Sequence, residues 1–269
     1  MRNCFLKCTR VLAFCAVACA LDAQFPTINL SPRTIEAFDA YSHKIEQQLA
    51  ARWQGHRSFL AIEEGADLRA RVLGAELSVR PSVPDNPIDI SDGLVHDWVG
   101  DVFIPNTGVD RVLQVLQDFD HHSEMYPAVT RSRLVHRQGN HIVGYWRLEE
   151  RNQIVPVVLD AIDDATYDQI APGKWTCRAY AKDMIDVQNA GTPNENKLPL
   201  GRGKGFLWRL YAYWSLEAAN GGVLAECRTL SLSRSIPPGL GWAVKPFVKN
   251  LPRDSLTSTL DSTRAAAAK

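Results

Sequence analysis

Two alternating runs joined by a turn signal constrain this chain more than any other feature. FLWRLYAYWSLEA (206–218) and VLAECRTLSLSR (223–234) are separated by a link containing Asn220-Gly221-Gly222. Period-two alternation marks a strand buried on one face, and Asn-Gly supplies the positive-φ pair of a tight hairpin. So short a link excludes a parallel crossover, and the two strands are expected to lie antiparallel. In the first run Phe206, Trp208, Leu210, Ala212, Trp214 and Leu216 share one face, the better core candidate, with Leu207, Arg209, Tyr211, Tyr213, Ser215 and Glu217 on the other. In the second, Leu224, Glu226, Arg228, Leu230 and Leu232 fall together, so an apolar face carries an acid and a base. Buried charges cost several kcal/mol unless paired. Three outcomes stay open for Glu226 and Arg228: they face each other, a ligand, or water at the sheet rim.

More strands precede this hairpin. WVGDVFIP (98–105), VTRSRLVHRQ (129–138) and HIVGYWRLEE (141–150) read as strands, the last two linked by Gly139-Asn140, and VPVVLDAI with ATYDQIA and then KWTCRAYAKD continue the series. NTGVDRVLQVLQDF is a short helix with Val109, Val112, Val115 and Leu116 at helical spacing. From Gly239 to Lys269 the pattern is helical again: Leu240, Val244, Phe247 and Leu251 share one face, resumed by Leu256 and Leu260 after Pro252. At the other end, Ser31 is a good N-cap, Pro32 suits the first helical position, and Ile35, Phe38, Ile45 and Leu49 keep one face apolar as far as Gly55. A weaker helical pattern follows over residues 58 to 80. Three prolines between 81 and 87 then mark residues 81–92 as a linker, which divides a helical extension (24–80) from a main domain (93–269).

Residues 1–23 stand apart. Arg2, Lys7 and Arg10 lead into VLAFCAVACAL, a run of about eleven residues, too short to span a ~30 Å hydrocarbon core. That is the layout of a secretory signal peptide, cleaved after Ala20 or Ala23. Lipidation at Cys19 and an N-terminal core helix are the alternatives. Export places the chain in the periplasm or outside the cell. Four of the six cysteines lie in this segment, leaving Cys177 and Cys227. An oxidising compartment permits pairing, yet a meander puts a whole strand between them, ~10 Å apart, beyond disulfide reach. Two free, buried thiols are expected. Thirty basic residues balance thirty acidic ones, so no net field recruits nucleic acid.

DFDHHSEMYP (118–127) gathers two aspartates, two histidines and a glutamate. Polar clusters at helix ends commonly cap or solvate them, and HHSE lacks the HExxH order of a zinc-protease helix. A flexible rim is expected here, with no metal. GRGKGF (201–206) lacks phosphate-loop spacing and precedes a strand, so it reads as a turn. Nothing in the sequence calls for a cofactor.

GLVHDWVGDVFIP, VLQDFDHHSEMYPAVTRSRL, GFLWRLYAYWSLE and LSLSRSIPPGLGWAVKPFVKNLPRDSLTSTL resemble the matching segments of exported, largely uncharacterised bacterial members of the START-like (SRPBCC) superfamily. The resemblance spans residues 93 to 265. It implies an α+β helix-grip fold, a curved antiparallel sheet around a long C-terminal helix, with an apolar cavity between them. It also implies a protein that binds or carries an apolar small molecule of lipid or isoprenoid class, with peripheral membrane association as a further expectation. The expected cavity residues are Tyr126, Trp146, Trp208, Leu210, Trp214, Leu224, Glu226, Arg228, Leu230, Trp242 and Phe247. The alternative is a cyclase- or dehydratase-like enzyme, with Glu226 or Glu149 as base and Arg228, Arg147 or Tyr213 stabilising an enolate.

Overall fold

The computed structural model describes residues 26–150, 157–236 and 241–269, with side chains in the last segment described at 248 and from 250 onward. The expected signal segment, Cys19 and both expected cleavage points lie outside the described residues, as do the side chains of Trp242 and Phe247. The opening hairpin forms as its pattern requires. Asn220 and Gly221 (φ 53° and 73°) turn the chain between β12 (Arg209–Ala219) and β13 (Gly222–Arg234), which pair without interruption from Ala219↔Gly222 to Arg209↔Leu232. Among the described residues six strands are short: β1 (Ile28–Asn29), β2 (Ser78–Pro81), β3 (Ile88–Ile90), β9 (Met184–Gln188), β10 (Asn196–Lys197) and β11 (Arg202–Gly203). Around the hairpin stand five long strands, β4 (Gly93–Pro105), β5 (Val129–Gln138), β6 (His141–Glu150), β7 (Val157–Ala171) and β8 (Lys174–Ala181), which with β12 and β13 make seven. These seven run in the order β5-β6-β7-β8-β12-β13-β4, each neighbour antiparallel.

The stretch expected to be a linker belongs to the sheet. Ser78–Pro81 and Ile88–Ile90 both pair antiparallel with β4. The reason is the open edge of β4: its unpaired backbone groups would otherwise face solvent or go unsatisfied, and an extended proline-rich segment can meet them. Likewise the weak helical pattern of 58 to 80 resolves into a 3-10 turn at Ala61–Glu64 and a short helix at Ala66–Leu73.

Helices cover both faces of the sheet. On the inner face lies the C-terminal helix α5 (Gly241–Ala267), with α3 (Val109–Gln117) and α4 (His122–Met125) closing one end. Gly100 marks the grip: a side chain there would overlap Leu260 and come within 3.2 Å of Leu256. On the outer face lies α1 (Pro32–Trp53), capped by the Ser31 hydroxyl accepting from the Thr34 amide. Its Phe38, Ile45 and Leu49 pack against Val95, Tyr211, Tyr213, Leu230 and Leu232. The 3-10 turn and α2 (Ala66–Leu73) extend that cover, seating Leu60, Ile62 and Val72 on Phe103 and Leu224. Among the described residues no helix is long and apolar enough to cross a membrane.

Candidate functional site: the cavity under the C-terminal helix

Strand parity decides which residues can meet a ligand. Along β12 the even positions Leu210, Ala212 and Trp214 face inward, and the ladder sets Ser231, Thr229 and Cys227 of β13 beside them. His96 of β4 stands beside Ser231 in the same layer. Against this floor the described part of α5 contributes Val248, Leu251, Pro252, Ser255, Leu256 and Thr259, while Leu148, Glu149 and Glu150 of β6 and Val157 and Leu159 of β7 form a side wall. A cavity of about 230 Å³ remains between them. It lies just under the ~300–1,000 Å³ of typical small-molecule sites.

Leu210 and Trp214 line this cavity; most of the other expected residues do not. Leu224, Glu226, Arg228 and Leu230 are the even positions of β13 and point to the outer face, under α1 and the 3-10 turn. The apolar row of β13 serves the N-terminal extension and not the cavity. Trp208 also packs outward with Phe38 and Leu230. Its alternation with Leu210 fails because the β12 ladder begins only at Arg209, after the positive-φ Gly205 has turned the chain. Trp146 faces inward in the main core, away from the cavity wall. Tyr126 reaches α5 through a 3.1 Å hydrogen bond between its hydroxyl and that of Thr263, which ties the α4 end to the helix.

The charges that alternation drove inward are satisfied within the outer face. Arg228 donates to Asp97 through Nε (2.9 Å) and Nη2 (2.7 Å), and the Tyr41 hydroxyl donates to the same carboxylate at 2.7 Å. Glu226 accepts from the Ala61 amide at 2.6 Å and is the cross-strand partner of Asp101, itself held by Arg80. Burial, then the neighbouring Asp101 carboxylate, push Glu226 up to about 8. Arg147 is closed off by a fork onto Asp160 (2.6 and 3.1 Å) and by Glu195. Tyr213 donates to Glu46 of α1. Of the groups weighed for acid–base work, only Glu149 lines the cavity.

DFDHHSEMYP spreads its donors apart. The His121 ring pairs with Asp118 at 2.8 Å, Asp120 accepts from the Leu134 amide, and His122 lies between the rings of Phe119 and Tyr126. Burial lowers His122 to about 4, so its ring is neutral near pH 7. Among the described residues no three His, Cys, Asp or Glu side chains converge as metal ligands. Cys177 and Cys227 are free and buried, flanking Trp214 on adjacent strands as the meander requires.

The residues missed by the sequence reading are His96, Thr229, Ser231 and Ser233. They form a polar strip along a mainly apolar hollow. His96 is 3% exposed, its Nε2 lies 3.0 Å from the Ser233 hydroxyl, and burial lowers it to about 4. A signal was present: an N-terminal helix with an apolar face must bury that face somewhere, and a sheet covered on both sides leaves its less apolar row free to line a cavity.

This arrangement, an antiparallel sheet gripping a long C-terminal helix, is the helix-grip, START-like fold. Many solved structures are similar to the chain, among them the following three. A STAR-related lipid transfer protein from Xanthomonas axonopodis shares 22% identity over 70% of this chain and 98% of its own, with a TM-score of 0.44. Human STARD10 shares 11% over 76% of this chain and 78% of its own, TM-score 0.42. The Zhui aromatase/cyclase from Streptomyces sp. R1128 shares 9% over 64% and 93%, TM-score 0.40. No protein-family model matches the sequence, and no curated protein is a significant match.

Proposed function

We propose that this chain is an exported, non-catalytic carrier or binder of an apolar small molecule, of lipid or isoprenoid class, held between the sheet and the C-terminal helix. The observation that carries the reading is the cavity itself: about 230 Å³, walled mainly by Leu148, Leu159, Leu210, Trp214, Leu251 and Leu256. At ~30 Å³ per water-sized volume it seats a short chain, a small isoprenoid or the end of a longer one. Release of the hydration shell from that chain drives binding, at roughly 25 cal/mol per Å² of apolar surface buried. The cyclase alternative has less support, because Glu226 and Arg228 are bound up on the opposite face. Export rests on the basic and apolar pattern of the first residues, and sequencing the mature N-terminus checks it. Peripheral contact with a membrane would be where cargo is exchanged.

The test is to purify the protein from cell envelopes, extract it with organic solvent and identify what is released by mass spectrometry. Ala212→Trp, which fills the cavity from its floor, serves as the comparison. A molecule recovered from the wild type and missing from the variant is expected. Empty wild-type protein, or equal recovery from both, removes the reading.

A further inference from the structure

The polar strip on the cavity wall has a defined hydrogen-bond polarity, and that polarity selects among ligand ends. His96 and Ser233 are 3% and 6% exposed, so neither can exchange freely with solvent. The Ser233 hydroxyl donates to the Arg234 carbonyl, a long contact of 3.5 Å, and so takes the Nε2 hydrogen of His96 at 3.0 Å. Nδ1 is then left as a bare lone pair, and it has no hydrogen-bond partner. A buried acceptor without a donor carries the full desolvation penalty of that group. A ligand that brings a donor removes the penalty; one that brings only lone pairs meets repulsion.

The charges on the wall act in the same direction. Glu149 and Glu150 line the cavity and disfavour an anionic head. Arg234 also borders it, with Nη1 donating to the Pro26 and Lys204 carbonyls and a buried Nε without a hydrogen-bond partner, so two carboxylates stand against one guanidinium. We propose that the cavity takes an amphiphile whose polar end is a neutral hydroxyl, and that His96, set in its tautomer by Ser233, accepts that hydroxyl's hydrogen at Nδ1. This deepens the carrier reading and rests on it. The class is therefore an apolar alcohol, not a fatty acid or a phosphate ester.

Titration calorimetry near neutral pH with decanol, decanoate and methyl decanoate tests this, since the three share a chain and differ in offering a donor, an anion or only acceptors. The wild type should bind decanol about tenfold more tightly than the methyl ester, the worth of one hydrogen bond, and decanoate more weakly than decanol. His96→Leu should bring decanol and the ester together while changing ester affinity less than about twofold. Ser233→Ala frees the tautomer and should lower the preference for decanol; it carries the test if circular dichroism shows that His96→Leu does not fold. Binding of decanol and the ester with equal affinity by the wild type, decanoate binding as tightly as decanol, or a decanol preference that survives both substitutions overturns the proposal and leaves the carrier reading standing. Failure of all three probes to bind the folded wild type overturns the carrier reading and the inference together.

Discussion

The two faces of one sheet are buried by different means. The outer face is fastened to the N-terminal extension by directed polar contacts set within apolar packing: Tyr41 and Arg228 on Asp97, Tyr180 and Tyr213 on Glu46, Trp53 Nε1 on Ser215, and the Ala61 amide on Glu226. The inner face meets α5 through Leu256 and Leu260 against Gly100, and beside that contact it leaves a hollow. Apolar packing tolerates many arrangements, whereas a forked ion pair or a capped carboxyl accepts few. The polar face therefore sets where the extension docks. The apolar face is the one with space for a guest.

The largest effect expected from this contrast is at Arg228. Arg228→Ala leaves Asp97, fully buried, with only the Tyr41 hydroxyl at its carboxylate among the described residues. Breaking a buried pair from one side typically costs about 3–5 kcal/mol, which urea denaturation would read directly. A loss under about 1 kcal/mol, the range of an exposed pair, would show that polar fastening does not govern this face. Gly100→Val is expected to cost less, about 1–3 kcal/mol from overpacking, because α5 can shift toward the cavity; thermal unfolding measures it. A change at Gly100 as large as that at Arg228 would erase the distinction between the faces.

The smallest effect is a pH dependence that the outer face should carry. Glu226 is raised to about 8 in the folded state, so below that value the fold holds a proton that the unfolded chain, with an ordinary carboxyl, has already released. Its contribution is complete below about 4.5 and is lost as pH rises through 8. His96 and His122, both lowered to about 4, act in the opposite sense, but only as pH falls below about 6.5. Asp163, raised to about 7 by burial and then by Asp164, shares the sign of Glu226 and is already half-titrated at pH 7, so it adds a smaller part of the slope above that pH. Between pH 7 and 8 stability should therefore fall by on the order of 1 kcal/mol per unit. Glu226→Gln, which can still accept from Ala61, should flatten that slope. An unchanged slope in the variant would mean that the Glu226–Asp101 pair is not what the fold protonates.

How much of this was legible follows from which physical quantity each feature depends on. The hairpins at Gly139-Asn140 and Asn220-Gly221 are set by local turn chemistry and strand alternation, both written in the residues themselves, and they form where expected. The capped helix behind Ser31 is equally local. Residues 81–92 looked like a linker because prolines report only an extended backbone; that this backbone pairs depends on β4 having a free edge. For the cavity the difficulty lay in the meaning of parity. Alternation sorts Leu224, Glu226, Arg228 and Leu230 from Cys227, Thr229, Ser231 and Ser233 but does not say which row faces which helix.

The sequence by itself determined the seven long strands, their hairpin pairing, the N-terminal helix and the separation of side chains into two rows, because turn preference, capping and pleat act over a few residues. Only the tertiary structure decided that α1 and the 3-10 turn take the apolar row with its acid and base, and that α5 takes the row bearing Thr229, Ser231 and Ser233 with His96 beside it. That assignment depends on partners more than a hundred residues apart, Tyr41 reaching toward Arg228 through Asp97, and no local pattern encodes a distance of that kind.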